Sequence, residues 1–135
     1  MLFALSFTAR PGAEAELERI LADEGLSRLA AERMGATLDA MFVQGNRFTQ
    51  VFEFPPGTDA QAARTRILAV HQAEEFRAML RRAAPLLSNP FDADDPSAFA
   101  AFVQRHKLRV VAEAHAAPGG PKTSFQRLPM GASPR

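Results

Sequence analysis

Asp39 and Gln50 fall on one row of side chains with Met41, Val43, Phe48, Phe52 and Phe54. The row follows from the stretch TLDAMFVQ, Gly45-Asn46, RFTQVFEF, which reads as two strands about a two-residue turn. With Gly45-Asn46 as the whole turn, Gln44 faces Arg47, Val43 faces Phe48, Met41 faces Gln50 and Asp39 faces Phe52. Side chains alternate across a strand, so Asp39 and Gln50 become diagonal neighbours on one face, in reach through a water or a ligand. A carboxylate among Phe and Met side chains has its pKa raised by desolvation. Such a group can take a proton from an acidic C–H or O–H while the amide holds an oxygen. The alternative is a wet carboxylate near a strand end.

His71 is the second candidate. Ala60, Ala63, Ile67 and Val70 make one helical stripe, and Phe76, Met79, Leu80 and Ala83 make another, out of phase with it. The slip falls at His71-Gln72-Ala73, where two helices or one bent helix must meet. A histidine at a break facing a cavity suits a general base. One at a helix end is also favoured by the helix dipole alone. His106 follows a helix end, and His115 shares a row with Arg109 and Glu113, so both read as structural or solvated.

Other constellations are weaker. The three histidines lack metal-binding helical spacing, and Asp92, Asp94 and Asp95 lack the glycine and remaining ligands of a calcium loop. No metal and no cofactor is expected. There is no phosphate loop, GxGxxG or nucleophile elbow. Arg47 and Glu53 read as a surface or interface pair. Arg77, Arg81 and Arg82 suit either an acidic partner surface or an exposed helix face.

The elements that position these groups come in the order strand, helix, strand, strand, helix, strand. LFALSFT over residues 2–8 opens as a strand, and Arg10-Pro11-Gly12 breaks it. Leu17, Ile20 and Leu21 stripe an acidic helix, which Gly25 ends or bends, and a further helical piece stops at Gly35. After the hairpin, Pro55-Pro56-Gly57 breaks the chain, and Thr58 or Asp59 caps the next helix. Asp95-Pro96 starts a short helix that buries Phe99, Phe102 and Val103. KLRVVAEAH over residues 107–115 reads as the last strand. The expected fold is a ferredoxin-like βαββαβ α+β domain over residues 1–115, a four-stranded antiparallel sheet with helices on one face. Residues 116–135, rich in Pro and Gly, form a tail. Both faces of the hairpin carry apolar residues, so the face away from the helices needs a cover, most simply a second copy of the chain.

The 135 residues make one domain with a sizeable core. A net charge of +1 gives no electrostatic case for nucleic acid. The absence of cysteine excludes disulfides and thiol nucleophiles and fits a cytoplasmic location. The opening MLFALSFTARPG is too short an apolar run for a signal peptide or a membrane span. Eleven Phe with no Tyr or Trp mean that an aromatic cavity must be lined by Phe.

Arg10-Pro11-Gly12 with its acidic helix, the hairpin, EEFRAMLRRAAPLL and NPFDADDPSAF together resemble the SchA/CurD-like proteins of bacterial aromatic polyketide and spore-pigment clusters. The resemblance runs from about residue 2 to 115. It implies a dimeric α+β barrel, like antibiotic-biosynthesis monooxygenases and small polyketide cyclases, and a role in tailoring aromatic polyketides. It supplies no catalytic motif to carry across residue by residue. On this reading Asp39, His71 and Gln50 do the chemistry, and Phe48, Phe52, Phe54 and Met41 bind the substrate. The expected activity is a cyclase/aromatase, with a cofactor-independent monooxygenase or a non-catalytic binding partner as alternatives. The expected partners are a poly-β-ketone intermediate, a second copy of the chain and an acyl carrier protein.

Overall fold

The computed structural model describes residues 1–116. Strand β1 (Leu2–Thr8) buries Phe3, Leu5 and Phe7 and leaves the alternate row partly exposed. Helix α1 (Glu14–Leu21) buries Leu17 and Ile20. Helix α2 (Glu24–Met34) begins afresh at Asp23, whose side chain accepts from Leu26 N at 3.0 Å. The chain therefore breaks before Gly25, which lies inside the first turn of α2. Gly35 closes α2 with φ +69°, a left-handed conformation that favours glycine.

Strands β2 (Leu38–Gln44) and β3 (Arg47–Glu53) form the hairpin in the expected register, with Asp39 opposite Phe52 and Met41 opposite Gln50. β1 pairs antiparallel with the other edge of β3, so the order is β1-β3-β2. Helix α3 (Ala60–Val70) is capped by Asp59, which accepts from Ala62 N at 2.7 Å. Helix α4 (Glu74–Ala83) follows directly, with a short 3-10 turn (Ala84–Leu86) after it. Helix α5 (Pro96–His106) starts with Pro96, and Asp95 accepts from Ser97 N at 3.0 Å. The core joins the Phe3, Leu5, Phe7, Phe48 and Phe52 face of the sheet to the inner faces of the helices.

The sheet has three strands, not four. Residues 107–115 touch β1 through one bridge, Leu5 with Lys107, and one bond from Leu108 N to Ala4 O at 2.8 Å. Farther along that edge, Leu2 N donates to the side chain of Glu113 at 3.0 Å instead of to backbone. Glu113 also holds the N-terminal ammonium at 3.1 Å and accepts from His115 at 2.7 Å. The side chain thus takes a ladder position, and the pairing stops. Among the described residues nothing covers Leu108, Val110 and Val111, which stay exposed and gain nothing from strand alternation. Nor do Arg47 and Glu53 pair, because they occupy opposite ends of β3. Arg47 donates to Ser6 Oγ and Glu53 accepts from Thr37 Oγ1. The tail expected from residue 116 lies, from residue 117 on, outside the described residues. No helix among them is long and apolar enough to cross a membrane.

Candidate active site

The helices do not seal their face of the sheet completely. A cavity, open to solvent at one side, lies between the sheet and the helices. Asp39 and Gln50 line it from the hairpin, and His71 lines it from the junction of α3 and α4. These groups come from segments far apart in the chain.

The hairpin register brings Asp39 and Gln50 closer than a bridging water requires. Gln50 Nε2 donates to Asp39 Oδ1 at 3.0 Å. Burial pushes the Asp39 carboxyl up to about 6, and the Gln50 bond offsets only part of that rise. Phe52 and Met41 form the adjacent wall. Phe48 and Phe54 share the row but not the cavity. Phe48 stacks on Phe7 with centroids 5.9 Å apart, and Phe54 packs beside Phe52 in the core.

His71 is the C-cap of α3, where the helix ends because the apolar stripe must turn toward a new partner. Its ring is buried between Phe76 and Phe99, with centroids 5.6 and 4.9 Å away. Nδ1 lies 2.7 Å from Ile67 O. A carbonyl can only accept, so Nδ1 carries the proton and Nε2 keeps its lone pair. Desolvation lowers the pKa, which keeps the imidazole neutral near pH 7. The environments thus push a carboxylate up and an imidazole down within one cavity, as proton-transfer chemistry requires.

Three further wall residues come from Phe91, Phe99 and Phe102, which pack against one another with centroids 4.8–6.4 Å apart. The i, i+3 spacing of Phe99 and Phe102 marks a buried helix side without saying what it faces. Asp23 and Ser27 also line the cavity, from the start of α2. Their only sequence signal is that of a helix cap, and Asp23 does act as one. His106 lies elsewhere: its Nδ1 donates to Ser6 O at 3.0 Å and its ring packs on Phe102. His115 sits at the exposed end of the described chain, beside Glu113. Arg81 is held between Glu74 and Asp94 at 2.8 and 2.7 Å, outside the cavity. Among the described residues, no group of three or more His, Asp or Glu side chains could hold a metal ion.

The fold has solved relatives. Tetracenomycin F2 cyclase from Streptomyces glaucescens, a type-II polyketide cyclase, superposes with a TM-score of 0.57 at 14% identity, covering 87% of this chain and 99% of that one. A Bordetella bronchiseptica protein provisionally described as an antibiotic biosynthesis monooxygenase gives a TM-score of 0.48 at 17% identity, over 66% of this chain and 86% of its own. The first likeness establishes the fold. No curated protein matches the sequence significantly. A profile of the SchA/CurD like domain matches residues 1–116, most of the chain, and the protein belongs to that family.

Proposed function

We propose that the protein tailors aromatic polyketides as a cyclase/aromatase, working by general acid–base catalysis without a cofactor. One observation carries the reading: a carboxylate of raised pKa and a neutral histidine with a free Nε2 line the same Phe-walled cavity. Membership of the SchA/CurD like family and the likeness of fold to a type-II polyketide cyclase support the substrate class.

In this mechanism a poly-β-ketone folds against Phe52, Met41 and the Phe91, Phe99, Phe102 cluster. The Asp39 carboxylate takes a proton from a methylene flanked by two carbonyls, which is already acidic. The resulting carbanion forms a C–C bond to a ketone carbon of the same chain, which becomes an alkoxide. Asp39 returns its proton to that alkoxide. Asp39 or His71 Nε2 then takes a second α-proton and passes it to the departing hydroxyl, which leaves as water, and enolisation of the remaining ketones sets the aromatic ring. Gln50 donates one N–H to Asp39 and keeps a second for a substrate carbonyl oxygen. It orients the base and the substrate together.

The protein acts as a homodimer in the cytoplasm. The open face of the sheet supports the dimer, because Leu38 and Phe42 stand exposed there. An acyl carrier protein delivers the substrate in this scheme.

The test is incubation with a poly-β-ketone intermediate, with and without oxygen, following product mass. Loss of water independent of oxygen is expected. A product that gains oxygen mass only in air would make the protein a monooxygenase. Binding without turnover would make it a carrier of intermediates.

A further inference from the structure

The cavity is polar in one sense only. Its charged lining groups are Asp39 and Asp23, and no Lys or Arg lines it among the described residues. Two cations of the surrounding helices, Arg33 and Arg66, are engaged elsewhere. Arg33 pairs with Glu75 at 2.9 Å while lying over the Phe76 ring, and Arg66 Nη1 donates to Met34 O at 3.5 Å. The remaining polar groups are neutral. Gln50 has a spare N–H, and Ser27 is partly buried with no hydrogen-bond partner for its hydroxyl among the described residues. His71 presents only a lone pair.

A free carboxylate inside this cavity would lose water, meet no cation and approach Asp39 at close range. Burying a charge without a partner is costly, and like charges brought together add to that cost. A ketone, phenol, ester or thioester carries no such penalty and can accept from Gln50 and Ser27.

We infer that the cavity accepts only uncharged polyketides, whose carboxyl end is masked or already lost. This rests on the reading of the cavity as a polyketide site and narrows it. It fixes the class of reaction that comes before. The supplying step leaves the chain end as a thioester or ester, or removes it as carbon dioxide. Ser27 becomes a positioning residue for a neutral oxygen at the end of the cavity built by α2.

The test uses anthraquinone-2-carboxylic acid and its methyl ester, titrated by calorimetry into the full chain at pH 7.5. Turnover of a thioester-linked poly-β-ketone is followed in parallel. The ester is expected to bind about a hundredfold more tightly than the acid. Asp39→Asn should narrow that gap to within about tenfold, since it removes the nearer charge. Ser27→Lys, checked for folding by circular dichroism, should improve acid binding by adding the missing cation. Any result in which the ester is not the tighter ligand of the unaltered protein overturns the inference. If turnover persists in that case, the catalytic reading stands without it. If neither compound binds and no turnover occurs, both fall.

Discussion

Asp39 is a carboxylate held where its charge is disfavoured, and that has two consequences of opposite sign. Its folded pKa, about 6, lies above its ordinary value. Between about pH 4 and 6 the folded protein keeps a proton that the unfolded chain has released, so stability falls as pH rises through that window. Asp39→Asn should therefore raise stability at pH 7.5 by about 1–2 kcal/mol, after discounting for partial exposure. The gain should vanish below about pH 4 in chemical denaturation curves. The same substitution should lower turnover by about 10²–10⁴-fold, the usual contribution of a general base. The loss of turnover is what marks a site, since a buried carboxylate without a catalytic role would show the stability gain alone. The pH profile has its own sign. Asp39 must be ionised and His71 neutral, and the His71 pKa is depressed below its ordinary value. Initial rates should climb on a single limb centred near pH 6 and then level off, with the Asp39 group setting the midpoint. A midpoint near pH 4 would mean that the carboxylate is solvated. At this scale the sequence was informative where periodicity is strict. The two-residue turn fixes the register, and the register fixes the Asp39–Gln50 neighbourhood. The direct bond depends on side-chain rotamers that the register leaves open, and the entry of Asp23 and Ser27 depends on where the start of α2 lies, which no local pattern encodes.

Element by element, the helices that deliver His71 are set by their ends. Asp59 caps α3 and α4 begins three residues after His71, so the imidazole is trapped at a corner. Asp59→Ala should cost about 1 kcal/mol in thermal or denaturant unfolding. Turnover should fall only as far as the folded fraction falls, because the cap touches no substrate. The caps at Asp59 and Asp95, the break at His71 and the stop at Gly35 were all legible as residue types at fixed offsets. The last strand was not, because alternation states a preference that only a neighbour can satisfy. Residues 107–115 alternate well, but among the described residues they meet the edge of β1 through a single bridge, and their own Glu113 side chain takes the next ladder position. Phe48 and Phe54 failed to reach the cavity for a related reason. Sharing a sheet face sets the direction of a side chain, whereas the helices above decide whether it meets solid core or open space.

For the whole molecule, the feature left uncovered is the outer face of the sheet. Phe42 is 60% exposed and Leu38 45%, beside the partly exposed row of Ala4, Ala40 and Val51. A face of this kind is expected to pack against its own copy. Sedimentation should show a dimer at micromolar concentration, and Phe42→Glu should shift it to monomer. A monomeric parent protein would leave the face to another partner. In the proposed mechanism Asp39 is the base toward a bound polyketide. The most direct test of that role is deuterium exchange, without oxygen, into the methylenes of a β-diketone analogue that cannot close a ring. The unaltered protein should accelerate exchange well above buffer, and Asp39→Asn should abolish the acceleration while still binding the analogue. Equal exchange by both proteins would contradict the account.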